Sequence, residues 1–112
     1  MKLNFDNIPK ERVENMRGGL GAVYLQKLNP KPEHAKMYAL ITIPSGSSIG
    51  VHTHIEDEEV ITCIKGNGKL IIDGKEYSFD PFDVSLCKTG RNHSVVNDSK
   101  DDLVLLAVVN II

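Results

Sequence analysis

"EVITCIKGNGKLIIDGKEYSF", residues 59–79, decides the fold class. It contains three short apolar runs, Glu59–Ile64, Gly68–Ile72 and Lys75–Phe79, with Asn67-Gly68 and Asp73-Gly74 between them. Both dipeptides suit the positive φ angles of tight hairpin turns. Runs of this length, rich in β-branched and aromatic residues, read as strands. The same signal continues in both directions. Upstream lie Gly21–Leu28, Met37–Ile43 and Val51–His54; downstream lie Asp83–Cys87, His93–Asn97 and Leu103–Ile111. The breakers "NPKP" and "PSGSSIG" separate the upstream runs. About nine strands at such close intervals predict an all-β sandwich or barrel, not a βαβ fold. The barrel is expected over about residues 21–112, after an arm of about 1–20, in one domain. Within the arm, "IPKERVEN" is expected to form one short helix with Pro9 at an early position. "GGLG" at residues 18–21 completes no dinucleotide fingerprint, because a strand follows it where a helix is required.

Composition narrows the function classes. The net charge is −2, and no run or stripe of Lys and Arg appears, so nucleic acid is not an expected partner. No apolar run approaches the ~20 residues of a membrane helix. The start lacks the apolar stretch of a secretory signal, and a cytoplasmic location is expected. Cys63 and Cys87 lie inside apolar strand-like segments and read as buried small hydrophobes without a disulfide. Tyr24, Tyr38 and Tyr77 read as packing residues, and His34 as a surface residue.

The chemistry lies in "HTHIEDEE", residues 52–59. Along a strand, residues i and i+2 share a face. His52 and His54 therefore face one side and can converge on one ion. Glu59 shares its parity with Ile61 and Cys63, so an inward face would bring a carboxylate beside two imidazoles. His93, opening a later strand, is a fourth candidate. Three imidazoles and one carboxylate suit one divalent transition metal: Mn, Fe, Zn, Ni, Co or Cu. Calcium and magnesium prefer oxygen shells. Glu56, Asp57 and Glu58 read as a solvated loop. Lys88 and Arg91 flank His93; at a barrel mouth they would attract an anionic group, one as a point charge and one as a planar fork.

The run Gly46–Gly66 resembles the first cupin motif: Gly, five residues, HxH, three or four residues, Glu, six residues, Gly. Gly46, His52, His54, Glu59 and Gly66 fill it, and the last spacing selects Glu59 over Glu58. Gly90, His93 and Asn97 match the later part of the second motif. Phe82 stands where that motif has Gly, and Lys88 where it has Pro. A phenylalanine there predicts a turn that does not demand positive φ. The resemblance implies a cupin-type jelly-roll β-barrel with His52, His54, Glu59 and His93 as metal ligands. The order around "RGGLGAVYL" is similar to small stand-alone cupins described as mannose-6-phosphate isomerase-like. Such cupins commonly pair, and Leu103–Ile112 is apolar on both faces, so a homodimer is expected.

Two functions fit these residues. One is a metal-dependent enzyme, of isomerase, lyase or O₂-dependent type, acting on a small polar or sugar-like molecule. The other is a non-catalytic module that binds or senses a sugar or other small molecule. The open coordination positions favour the enzyme. The absence of a second acid or base favours the module.

Overall fold

Side-chain burial alternates along the last strand: Leu103, Leu105, Ala107 and Val109 are buried, while Val104, Leu106, Val108 and Asn110 are half-buried. A computed structural model describes residues 1–112. Its strands are β1 (Glu11–Glu14), β2 (Ala22–Lys27), β3 (Ala35–Ile43), β4 (Ser48–Thr53) and β5 (Asp57–Lys65), then β6 (Gly68–Ile72), β7 (Lys75–Phe79), β8 (Val84–Cys87), β9 (Asn92–Val96) and β10 (Leu103–Ile111). One sheet has the order β1-β2-β3-β10-β5-β8 and the other β4-β9-β6-β7. Every recorded pairing is antiparallel, and the two sheets make a jelly-roll-like sandwich. The core is filled by inward residues of both, among them Ile41, Ile61 and Leu105 from the larger sheet and Leu70, Phe79 and Val95 from the smaller. Cys63 and Cys87 are free and buried, as expected of small core residues.

The two predicted turns behave differently. Asp73 and Gly74 have φ of 48° and 83°, and Ile72 pairs with Lys75, so this is a two-residue hairpin. Asn67-Gly68 is not a hairpin, because β5 and β6 belong to different sheets. The positive φ falls instead on Gly66, at 83°. At Gly68 a Cβ would stand 2.6 Å from the Val96 carbonyl oxygen. This glycine serves close passage beside β9 while the chain changes sheets.

Two further expectations change. No α-helix forms over "IPKERVEN". Glu11–Glu14 is an edge strand on β2, and the arm's helical content is two single 3-10 turns, Phe5–Asn7 and Met16–Gly18. The segment has no apolar stripe at helical spacing, whereas pairing as β1 half-buries Val13 against the core. The arm thus supplies a strand of the larger sheet. The turn at Phe82 does take positive φ, 74°. Asp83 donates its N–H to the Asp80 carbonyl at 2.9 Å, which places Pro81 and Phe82 in the middle of a β-turn. Positive φ at the third residue, after Pro, is the type II pattern that glycine normally fills. No helix is long and apolar enough to cross a membrane.

Candidate metal centre

Three strands from both sheets meet at one end of the sandwich. His52 lies in β4 directly opposite His93 in β9, and the β4–β9 register shifts between Ile49 and His52. His54 follows β4. Its N–H donates to the Arg91 carbonyl at 3.1 Å, and its own carbonyl accepts from Gly90 N–H at 2.6 Å. The turn before β9 therefore clamps this histidine through backbone atoms. Glu59, Ile61 and Cys63 form the buried face of β5, the parity expected if that face points inward.

The four side chains converge. Their ligand atoms all lie within 4.8 Å of one another. His93 Nε2 is 3.0 Å from His52 Nε2 and 3.1 Å from His54 Nε2. Glu59 Oε1 is 2.9 Å from His93 Nε2, 3.1 Å from His54 Nε2 and 3.8 Å from His52 Nε2. His52 Nδ1 stands 2.8 Å from the Gly50 carbonyl and His54 Nδ1 2.7 Å from Asp57 Oδ1. Those oxygens only accept. In the neutral rings each Nδ1 therefore carries the proton and each Nε2 keeps a lone pair aimed at its neighbours. A proton on His93 Nε2 serves only one of these contacts at a time, and the rest bring lone pairs together. A cation at their centre satisfies all of them. Two nitrogens ~2.1 Å from one ion and at right angles stand ~3.0 Å apart, so the spacing fits a transition metal with positions left open. His93 Nδ1 is buried without a hydrogen-bond partner.

Electrostatics agree with this arrangement. Burial alone would raise the Glu59 carboxyl, but the imidazoles of His52, His93 and His54 outweigh it and hold the group at about 2. Asp57 is likewise opposed by burial yet held low by hydrogen bonds from Lys36, at 3.0 Å, and His54. Asp57 thus orients a histidine of the cluster, the role that outer carboxylates play in metal sites. Cys87, paired with Glu59 across β5 and β8, is pushed up to about 11 by burial and by the Glu59 and Asp73 charges. It is not among the converging ligand groups.

The cluster lies in a cavity of about 200 Å³. Seven of its fourteen lining residues are apolar, including Ile41, Ile49, Ile61 and Val95. The other seven are the four clustered groups with Asp57, Lys36 and Arg17; no uncharged amide or hydroxyl side chain lines it.

Lys88 and Arg91 do not line this cavity. They border a separate depression with Ile72 and Leu86, and Arg91 is engaged by Asp73, with Nε 2.6 Å from Oδ2. Their turn grips His54 through its backbone, which leaves both side chains outside. His34 is exposed, and no tyrosine lines the cavity. Sequence reasoning missed Asp57, Lys36 and Arg17. Asp57 had a usable signal, since it shares strand parity with Glu59. Arg17 had none, because the arm reaches the cavity only through the fold.

The cupin domain model matches residues 39–109. An oxalate-binding protein of Thermotoga maritima is 34% identical over 112 residues, covering 97% of this chain and 93% of that one. The crystal structure of a predicted oxalate decarboxylase from Thermotoga maritima superposes over the whole of both chains, with a TM-score of 0.95 and 32% identity. A sugar phosphate isomerase of the cupin superfamily from Silicibacter pomeroyi shares the fold, with a TM-score of 0.83 at 20% identity, over all of this chain and 76% of that one. The motif spacing, the sandwich and these matches agree, and the chain belongs to the cupin family.

Proposed function

We propose that the protein holds a divalent transition metal on His52, His54, Glu59 and His93 and binds there a small dicarboxylate of the oxalate class. The observation that carries this reading is the character of the cavity. At about 200 Å³ it is smaller than the ~300–1,000 Å³ of pockets for larger ligands. A sugar presents many hydroxyls around its ring, and half of this wall is Ile, Val and Met, which offers them no partners. A compact, charged chelator needs none. When bound, the ion supplies positive charge and open positions for two ligand oxygens. Ile41, Ile49, Ile61 and Val95 give the buried cluster an apolar wall, which strengthens the charge contacts beside it. Asp57 holds His54 in the tautomer that presents Nε2. The relative described as oxalate-binding supports the same ligand class.

The test is calorimetric titration of oxalate into untagged protein, metal-loaded and metal-stripped, with His54→Ala as control. About one equivalent of metal per chain, with oxalate binding only when loaded, is the expected result. Loaded wild type that binds neither oxalate nor malonate would refute the ligand class, and failure to hold any of the six metals would refute the site. A second reading, in which the bound dicarboxylate is cleaved to release CO₂, draws on the relative described as a predicted oxalate decarboxylase. The only other carboxylate lining the cavity, Asp57, is engaged by both His54 and Lys36, which favours binding over turnover. CO₂ release from oxalate by the loaded protein separates the two. The half-covered outer face of β10, with Val104, Leu106 and Val108, supports a homodimer formed through the larger sheet. A single-chain mass in solution would rule it out.

A further inference from the structure

Building on the dicarboxylate reading, we propose that Arg17, carried over the cavity by the Met16–Gly18 turn, contacts the outward-facing carboxylate oxygens of the ligand and makes the site selective for dianions. Arg17 lines the same cavity as the four converging groups. It is the one arginine of this chain without a partner. Arg12 pairs with Glu14 and Arg91 with Asp73, while Lys36, the other cation of the cavity, is tied to Asp57 at 3.0 Å. A guanidinium presents a planar fork of donors that matches a carboxylate edge.

The turn that carries it is firmly placed. Arg17 sits at φ 55° and ψ 29°, between Asn15 at φ 49° and Gly18 at φ 80°. An arginine rarely adopts such a backbone unless its surroundings impose it, and such outliers cluster at binding sites. The surroundings here are explicit. Asn15 donates its side-chain amide to the Gly19 carbonyl at 3.0 Å and its N–H to the Gly21 carbonyl at 2.8 Å. Gly19 and Gly50 pack backbone to backbone. A Cβ on Gly50 would collide with the Arg17 carbonyl, and one on Gly19 with the Ser48 carbonyl. Gly50 is in β4, the strand that carries His52, so the turn is registered against the cluster itself.

Charge points the same way. Arg17 and Lys36 balance Asp57 and Glu59 among the lining groups, so a divalent ion leaves two positive charges to be matched by the ligand. A dianion such as oxalate closes that balance, and a monoanion leaves one charge to be met by solvent, which reaches both Arg17 and Lys36.

The experiment compares oxalate with glycolate, which also offers two oxygens to a metal but carries one negative charge. Both are titrated by calorimetry into metal-loaded wild type, Arg17→Gln and Arg17→Gly. The glycine variant keeps the backbone angle available and so guards against loss of the fold. Metal content is measured on each sample. Wild type is expected to prefer oxalate. Both variants are expected to keep about one equivalent of metal and lose oxalate affinity by at least about tenfold, as for a charge-assisted contact, with a smaller change for glycolate. Variants that hold metal and bind oxalate as wild type does would overturn the role of Arg17 and leave the dicarboxylate reading standing. If loaded wild type ignores oxalate, malonate is titrated in its place. Arg17-dependent binding of malonate would sink the oxalate assignment and keep the anion contact, and binding of neither would overturn both.

Discussion

Replacing Phe82 by glycine is expected to stabilise the protein, although it deletes a large apolar side chain. Phe82 occupies the third position of the Asp80–Asp83 turn at φ 74°. An L-residue in the left-handed region costs roughly 1–2 kcal/mol, which glycine avoids. Glycine's extra freedom in the unfolded chain offsets roughly 0.4–1 kcal/mol of that relief. The side chain is 86% exposed, so the burial lost is a small part of the roughly 1.5–3 kcal/mol that a fully covered Phe contributes, about 0.3 kcal/mol. The balance is a gain of roughly 0.5 kcal/mol, or a Tm rise of about 2–3 °C for a chain this size. The turn's hydrogen bonds, from Asp83 N–H to the Asp80 carbonyl and from Phe82 N–H to the Cys63 carbonyl, survive the change. Phe79 is the internal control. It is the same residue type three positions earlier, but 1% exposed, and Phe79→Ala should cost about 3–5 kcal/mol. Scanning calorimetry of both variants, at two protein concentrations tenfold apart, makes the measurement. A Tm for Phe82→Gly more than about 2 °C below wild type would refute the reasoning. If that loss grew with protein concentration, Phe82 would be covered by a second copy.

Asp57→Asn should leave the fold intact and weaken metal binding about 10–100-fold, because it loosens the tautomer of His54; competition with a chelator reads this directly, and unchanged affinity would deny Asp57 its orienting role. Asn97 is fully buried and its side chain serves the Ile43 and Asp101 carbonyls and the Ser99 N–H and hydroxyl. Asn97→Ala should therefore lose about 2–4 kcal/mol in urea unfolding, and a loss under about 1 kcal/mol would show that these groups find other partners. In the metal-free protein Glu59 is held at about 2 against an ordinary 4.5. A carboxyl that binds its proton less readily when folded adds stability above about pH 4.5, and that contribution disappears as the pH falls from there towards about 2. At ~1.4 kcal/mol per unit this is roughly 3 kcal/mol, so Glu59→Gln should flatten the acid limb of stability across that window, and an unchanged limb would contradict the shift.

The features legible in the sequence were local ones. Gly68–Ile72, Lys75–Phe79 and Leu103–Ile111 coincide with β6, β7 and β10, because alternating burial along β10 and turn chemistry at Asp73-Gly74 between β6 and β7 act within a few residues. Strand parity put His52 and His54 on one face, whereas Glu59, in a strand of the other sheet, was selected by the motif spacing. Asn67-Gly68 misled because a dipeptide reports its own backbone preferences and not which sheet the next strand joins. Edge strand β1 was illegible because only Val13 gains cover, and its partner β2 had to exist first. Lys88 and Arg91 lie close to His93 in the chain but outside the cavity, whereas Arg17, far away in sequence, lines it. The charge at a cavity mouth is set by how remote turns pack, and no short-range pattern encodes that.

The ligand set straddles the two sheets. His52 and His93 belong to strands of the smaller one, and Glu59 to the larger. A shared ion would therefore act as a rivet through both layers, joining segments 41 residues apart in the chain at His52 and His93. Without it, the imidazole lone pairs face one another, and Glu59 alone of the four groups joins the larger sheet to the smaller. Occupancy then sets the mechanical soundness of the domain as well as its chemistry. At metal concentrations a hundredfold above Kd the rivet is worth about 2.7 kcal/mol. A chain without the ion would lose that tie between its layers and is expected to loosen at that end before elsewhere.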